Sequence, residues 1–161
     1  MSLPLLTLPR LAAALPVVFL LHVAEEAPGF VTWFNSLVAP PISQRLFLSV
    51  NAVALAITLV VAFFVAASRD RASVLIGVAW VGFLMLANAV LHVAATVARG
   101  RYCPGVITAV LLYFPVSVLF LRAAARERGL SAPSVLAVAL LGGVPMDVHG
   151  YLMVFRGSRL F

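Results

Sequence analysis

The sequence predicts an all-α protein, a polytopic transmembrane helical bundle of about five spans forming one domain. Three observations carry this. Of the 161 residues, 64% are hydrophobic and only 10% charged, where a soluble domain has about a quarter charged. With a mean hydropathy of +1.15 there is too little polar surface to coat a globule in water, so the natural solvent is a bilayer. The apolar residues also fall into runs of about 17–26, the length that crosses a hydrocarbon core of roughly 30 Å at 1.5 Å per helical residue. Finally, all eleven basic residues are arginine and they punctuate the runs, the usual pattern at a membrane interface. Lipid cannot satisfy backbone polar groups, so each span must be a helix.

The first span covers about 11–27 and contains Pro16, His22, Glu25 and Glu26 before Pro28-Gly29 breaks it. It makes a poor cleaved leader. One basic residue precedes it, and a cut after Ala24 would put His22 where a small residue is needed. A short interfacial segment from Phe30 to Val38 follows, with Phe30, Trp33 and Phe34 as aromatic anchors. The remaining spans cover about 45–67, 73–98, 105–122 and 134–155, with the Arg126-Glu127-Arg128-Gly129 stretch read as a loop. Pro115 and Pro145, like Pro16, lie inside spans, where proline kinks a helix. Gly142-Gly143 ahead of Pro145 suggests a local distortion of the last span.

The net charge of +6 does not point to nucleic acid, because the arginines form no patch or basic helix. The expected partner is membrane lipid. With the N-terminal side called A and the other B, side A receives Arg10, Arg69, Arg71, Arg122, Arg126 and Arg128. Side B receives Arg45, Arg99, Arg101, Arg156 and Arg159. The positive-inside rule then leans toward side A in the cytoplasm of a bacterial cell membrane. The single cysteine, Cys103, allows neither a disulfide framework nor a cysteine metal motif within the chain. Beside Pro104 it reads as an inert turn residue.

The polar residues break this apolar pattern. His22, His92 and His149 all fall inside apolar runs, as do Glu25, Glu26, Asp147, Asn51 and Asn88. A charged carboxylate at mid-helix costs roughly 2.5–3.5 kcal/mol on insertion scales, and such groups in membranes are usually functional. All three histidines lie in the side-B half of their spans. His22, Glu25 and Glu26 share a helical face as i, i+3 and i+4, and so do Asn88 and His92 as i and i+4. Asp147 and His149, two apart, would splay on a regular helix. The expectation is one polar layer toward side B.

Imidazoles with carboxylates suit zinc, iron or manganese. Three carboxylates and a bridging hydroxide would balance two divalent ions, so a dinuclear centre is one option; a single ion with a spare acid as general base is another. The expected ligands are His22, Glu25, Glu26, His92, His149 and Asp147, with Glu25, Glu26 and His92 catalytic. Asn51 and Asn88 would support them, and Asp147 could instead orient an imidazole. His-x-x-Glu reverses the Glu-x-x-His order of helical-bundle dimetal sites.

His22-Val-Ala-Glu25-Glu26 resembles the signature of the HXXEE-domain family of integral membrane proteins. The similarity extends to Asn88-Ala-Val-Leu-His92, Tyr102-Cys-Pro104-Gly105 and the late His149. It implies a metal or catalytic role for these polar positions and no particular reaction.

The leading expectation is a membrane-embedded, metal-dependent oxidoreductase or hydrolase, with iron or zinc, acting on a lipidic or small apolar substrate. Metal-free His/Glu acid-base isomerisation is an alternative, by analogy with membrane sterol isomerases. So are a proton or metal-ion transporter, a bis-histidine haem on His22 and His92, and a polar network that only holds the bundle together. A conduit would distribute ionisable groups through the whole depth, whereas here they gather near one side.

Overall fold

The computed structural model describes residues 6–68 and 70–158; Arg69 and Arg159 of the orientation argument lie outside them. Among the described residues there are six helices and no strand. They are α1 (Leu8–Glu26), α2 (Phe30–Asn35), α3 (Gln44–Ala67), α4 (Arg71–Arg99), α5 (Val106–Arg128) and α6 (Ala132–Arg156). All except α2 are long and apolar enough to cross a membrane.

Local chemistry sets the helix ends. The side chains of Ser43, Asp70 and Ser131 accept N–H groups of Leu46, Ser73 and Ser134, capping α3, α4 and α6. Glycines with left-handed φ stop α4 at Gly100 and α5 at Gly129, and Gly157 follows α6. The stretch read as a loop, Arg126-Glu127-Arg128, is therefore the last turn of α5. Cations there complement the negative end of the helix.

The helix interiors are not uniformly α. A π turn occupies Gly82–Ala87 in α4, Ala109–Tyr113 in α5 and Leu152–Arg156 in α6. The one in α5 ends just ahead of Pro115, whose missing N–H already interrupts the α ladder.

In the packing, α1 lies against α3 and α6 lies across α4. A Cβ built on Gly82 would overlap the Ala139 carbonyl, and one on Gly142 would overlap the Ala79 backbone. Small residues at this crossing let the two backbones touch, the usual device where lipid supplies no hydrophobic drive. Gly142 and Gly143 thus serve packing, and α6 runs through them without the expected distortion. Leu8, Leu15, Val65, Val78 and Phe120 fill the side-A core. Val53, Val60, Phe63 and Phe64 of α3 face outward, as a lipid-contacting surface should.

The short segment after the first span is α2, but its aromatics turn inward. Trp33 and Phe34 are buried in a second cluster with Val38, Leu91, Ala95 and Met153 near side B. Asn35 pins the following loop by exchanging hydrogen bonds with Ile42, at 2.9 Å from its amide and 2.8 Å to its carbonyl oxygen; a cis Ala39–Pro40 bond lies within it. The segment is a cap under side B rather than an outward anchor.

Candidate metal centre

The last turn of α1 carries His22 and Glu26 one helical turn apart, so both face the same neighbour. That neighbour is His92 of α4. His22 Nε2 and His92 Nε2 stand 3.6 and 3.2 Å from Glu26 Oε1, and one donor atom from each of the three residues fits within a 4.8 Å cluster. All three are buried, His22 and His92 at 1% exposure and Glu26 at 5%. Ligands of one zinc ion, each bonded at about 2.0–2.1 Å, would stand roughly 3–3.5 Å apart, close to the two observed spacings. The group can therefore hold a metal ion with little movement.

Each imidazole is held by its other nitrogen. His92 Nδ1 is 3.3 Å from Cys103 Sγ. The Cys103 N–H is tied to Thr96 Oγ1 at 3.3 Å, and that hydroxyl is itself bonded to the His92 carbonyl. Burial pushes the Cys103 thiol up to about 12, with the charges of Glu26 and Glu25 adding to it, so His92 faces a neutral thiol. His22 Nδ1 is 2.8 Å from Thr108 Oγ1. Its Nε2 is buried with no hydrogen-bond partner. A buried nitrogen left so costs about 1–3 kcal/mol.

Tyr113 covers one face of His22, its ring stacked 4.2 Å from the imidazole. The π turn explains why Thr108 and Tyr113 both reach His22. Five residues apart, they would diverge on an α-helix, but at about 4.4 residues per turn they come to one side. The Gly105 backbone closes the site from side B. With φ of +101°, its missing Cβ would sit 2.6 Å from His92 Cε1 and 2.9 Å from His22 Cε1. Phe30 of α2 lies beyond, 6.1 Å from the His92 ring.

Of the six residues expected as ligands, the structure brings together His22, Glu26 and His92. Glu25 turns away from the imidazoles to the start of α5, where it accepts from the N–H groups of Gly105, Ile107 and Thr108 at 3.1, 3.0 and 2.7 Å. It also accepts from Tyr102 and Thr108 hydroxyls, both at 2.6 Å. The positive end of α5 attracts it more strongly than a second place beside Glu26 would. Burial and the neighbouring Glu25 hold the Tyr102 phenol up at about 12. His149 is buried but stacks on Phe34 at 6.4 Å, outside the cluster. Asp147 is exposed in a groove with Val90, Leu91 and Tyr151; the two splay because they are i and i+2 on a regular helix. Asn51 bonds its own helix at the Phe47 carbonyl, 3.0 Å away. Asn88 keeps a buried Oδ1 without a hydrogen-bond partner.

Thr108, Tyr113, Cys103 and Gly105 were missed as members of the site. Only Tyr102-Cys-Pro104-Gly105, a polar and glycine-bearing stretch directly before an apolar run, marked that turn in the sequence.

No curated protein and no solved structure matches the chain. A family model described as "protein of unknown function with HXXEE motif" matches residues 13–120, a stretch that holds His22, Glu25, Glu26, His92 and Thr108 alike. The chain belongs to this HXXEE family.

Proposed function

We propose that the protein is a membrane-embedded metalloenzyme holding one divalent ion on His22 Nε2, His92 Nε2 and the Glu26 carboxylate. The observation that carries the reading is the buried, unpartnered Nε2 of His22, facing a carboxylate and a second imidazole at ligand spacing. One carboxylate in the cluster supports a mononuclear rather than a dinuclear centre, since a second ion would leave excess positive charge in a buried site. Two imidazoles and a carboxylate suit zinc with an open position and non-haem ferrous iron alike. Such an ion would supply Lewis acidity and activate a bound water or dioxygen. The chain's residues hold the ion, fix the imidazoles and exclude bulk water, with Tyr113 on one side and Gly105 and Phe30 toward side B. The aromatic and aliphatic surroundings favour a lipidic or small apolar substrate.

Metal analysis of purified protein tests this. One zinc or iron per chain is expected, lost in Glu26→Gln and in His92→Ala. Glu26→Gln keeps the shape and serves as the folded control. Wild type that stays metal-free after supply of both ions would overturn the reading, as would a variant that retains the ion. In that case the 3.2 Å contact of Glu26 with His92 would favour a metal-free acid-base pair.

A further inference from the structure

The HXXEE signature has two adjacent acids, and only Glu26 joins the imidazoles. We infer that Glu25 sets the tautomer of His22 through Thr108, so that Nε2 presents its lone pair to the centre. The inference rests on the metal-site reading for its purpose and on hydrogen-bond directions for its logic.

Five donors converge on the two oxygens of Glu25: the Tyr102 and Thr108 hydroxyls and the N–H groups of Gly105, Ile107 and Thr108. A carboxylate has about four lone-pair sites and, when ionised, can only accept. No capacity remains for a proton, so Glu25 acts purely as an acceptor. Thr108 has one hydroxyl hydrogen and two acceptors in reach. The charged Glu25 Oε2 is at 2.6 Å and the neutral Gly105 carbonyl at 3.2 Å. Charge-assisted bonds are shorter and stronger, so the hydrogen goes to Glu25. Thr108 Oγ1 then offers only a lone pair to His22 Nδ1 at 2.8 Å, and Nδ1 must carry the proton. A neutral imidazole has one N–H, so Nε2 is left bare; it makes no hydrogen bond, with the Glu26 carboxylate standing 3.6 Å away.

The other imidazole lacks such a lock. Cys103 Sγ is both a weak donor and a weak acceptor, and its one alternative acceptor, the Pro104 carbonyl at 3.8 Å, is neutral and distant, so it constrains the tautomer of His92 far less. The polarity of the centre is thus imposed most strongly at His22. Glu25 and Thr108 are positioning residues that do not touch the donor cluster themselves.

The chain of donors can be reversed by one substitution. In Glu25→Gln the amide can turn its NH2 toward Thr108 Oγ1, giving up the bond from the Thr108 N–H, and the Thr108 hydrogen is then free to donate to His22 Nδ1. The proton then moves to Nε2 and blocks the ligand position. Thr108→Val removes the link with little change of shape, and Thr108→Ser restores the hydroxyl without the methyl.

The experiment has two arms. The first reads histidine nitrogen shifts by 15N NMR on the metal-free protein in detergent. His22 protonated on Nδ1 in wild type and on Nε2 in Glu25→Gln is expected. The same tautomer in both would overturn the inference. The second titrates Zn2+. Glu25→Gln and Thr108→Val should weaken binding by about 10–100-fold, the range for lost orienting partners, and Thr108→Ser should return to near wild type. Wild-type affinity in Thr108→Val, or no rescue by Thr108→Ser, would also overturn it. If wild type binds no metal at all, the metalloenzyme reading fails while the first arm still decides the tautomer.

Discussion

Toward side A, Leu15, Val65, Val78 and Phe120 fill most of the space between helices with hydrocarbon. The polar links there are few and lie at the rim or between neighbouring helices: Trp80 of α4 donates to Thr58 Oγ1 of α3 at 3.0 Å, Thr58 donates to its own helix, and the Leu8 N–H reaches the Glu127 carboxylate. Toward side B the same helices are joined through His22, Glu26, His92, Thr108 and Glu25, residues far apart in the chain. The first half is held mainly by shape, which tolerates exchange of one aliphatic for another. The second is held by donor and acceptor direction, which tolerates little, because every buried polar group left unpaired costs about 1–3 kcal/mol. Substitutions in the two halves should therefore fail differently, one through folding and the other through binding with folding kept.

The largest effect is expected at the crossing that both halves share. Gly82 of α4 lies against the Ala139 backbone of α6. The atoms it would meet are backbone, not a flexible side chain, so a Cβ at Gly82 must push the helices apart. Gly82→Ala should cost about 3 kcal/mol, the upper part of the range for overpacking, with lower yield of folded protein and a lowered thermal midpoint in detergent. Zinc binding should fall in proportion to the folded fraction and no further. A folded Gly82→Ala protein with full stability would break the picture of a scaffold set by close backbone contact.

Gly105 should show the opposite pattern. Its φ of +101° disfavours any side chain, and its Cβ would press on both imidazoles at 2.6 and 2.9 Å. Backbone strain of about 1–2 kcal/mol is expected for Gly105→Ala, less than at Gly82. Zinc affinity should nonetheless drop by at least about tenfold, since metal ligation is lost with small displacements of its ligands. Thermal melts and zinc titrations on the two variants, run side by side, give the comparison. Equal loss of affinity per unit of stability lost would mean that the two halves do not differ.

The spans were legible because the bilayer imposes both length and polarity on a helix. The errors at their ends came from weighing charge above caps: Arg126-Glu127-Arg128 reads as polar loop, but Gly129 is the stop. That His22, Glu26 and His92 come together was legible for a similar reason, since helical spacing and depth together restrict where a side chain can go. Glu25 misled because i+3 and i+4 look equivalent on a helix wheel, and only the position of α5 decides which acid faces the imidazoles. Asp147 and His149 misled because depth was weighed above the splay of i and i+2. Thr108 and Tyr113 gave no signal. A hydroxyl in an apolar helix is ordinary, and the π turn that aligns residues five apart has no sequence mark comparable to a glycine or proline.

The smallest effect is expected at the far end, where a second acid caps a helix. Asp70 on side A accepts from the Ser73 N–H and hydroxyl, both at 2.8 Å, and is bonded to Ser68. Glu25 does similar work for α5, but it comes from another helix and is linked to His22, whereas the partners of Asp70 lie within three residues. The Ser68 hydroxyl first, then the Ser73 groups, hold the Asp70 carboxyl down at about 2, from an ordinary 3.8. A carboxyl lowered on folding adds stability that is present above its unfolded value and is lost as pH falls through the folded one. The contribution should therefore be complete above about 4 and disappear as pH falls toward about 2. Asp70→Asn should lower the thermal midpoint slightly at neutral pH, leave zinc affinity unchanged, and converge with wild type across that acidic window. Midpoints of the two proteins measured against pH check the sign. A gap that widens toward acid would mean that Asp70 is not held as a carboxylate, and a loss of zinc binding would mean that the two ends of the bundle are coupled.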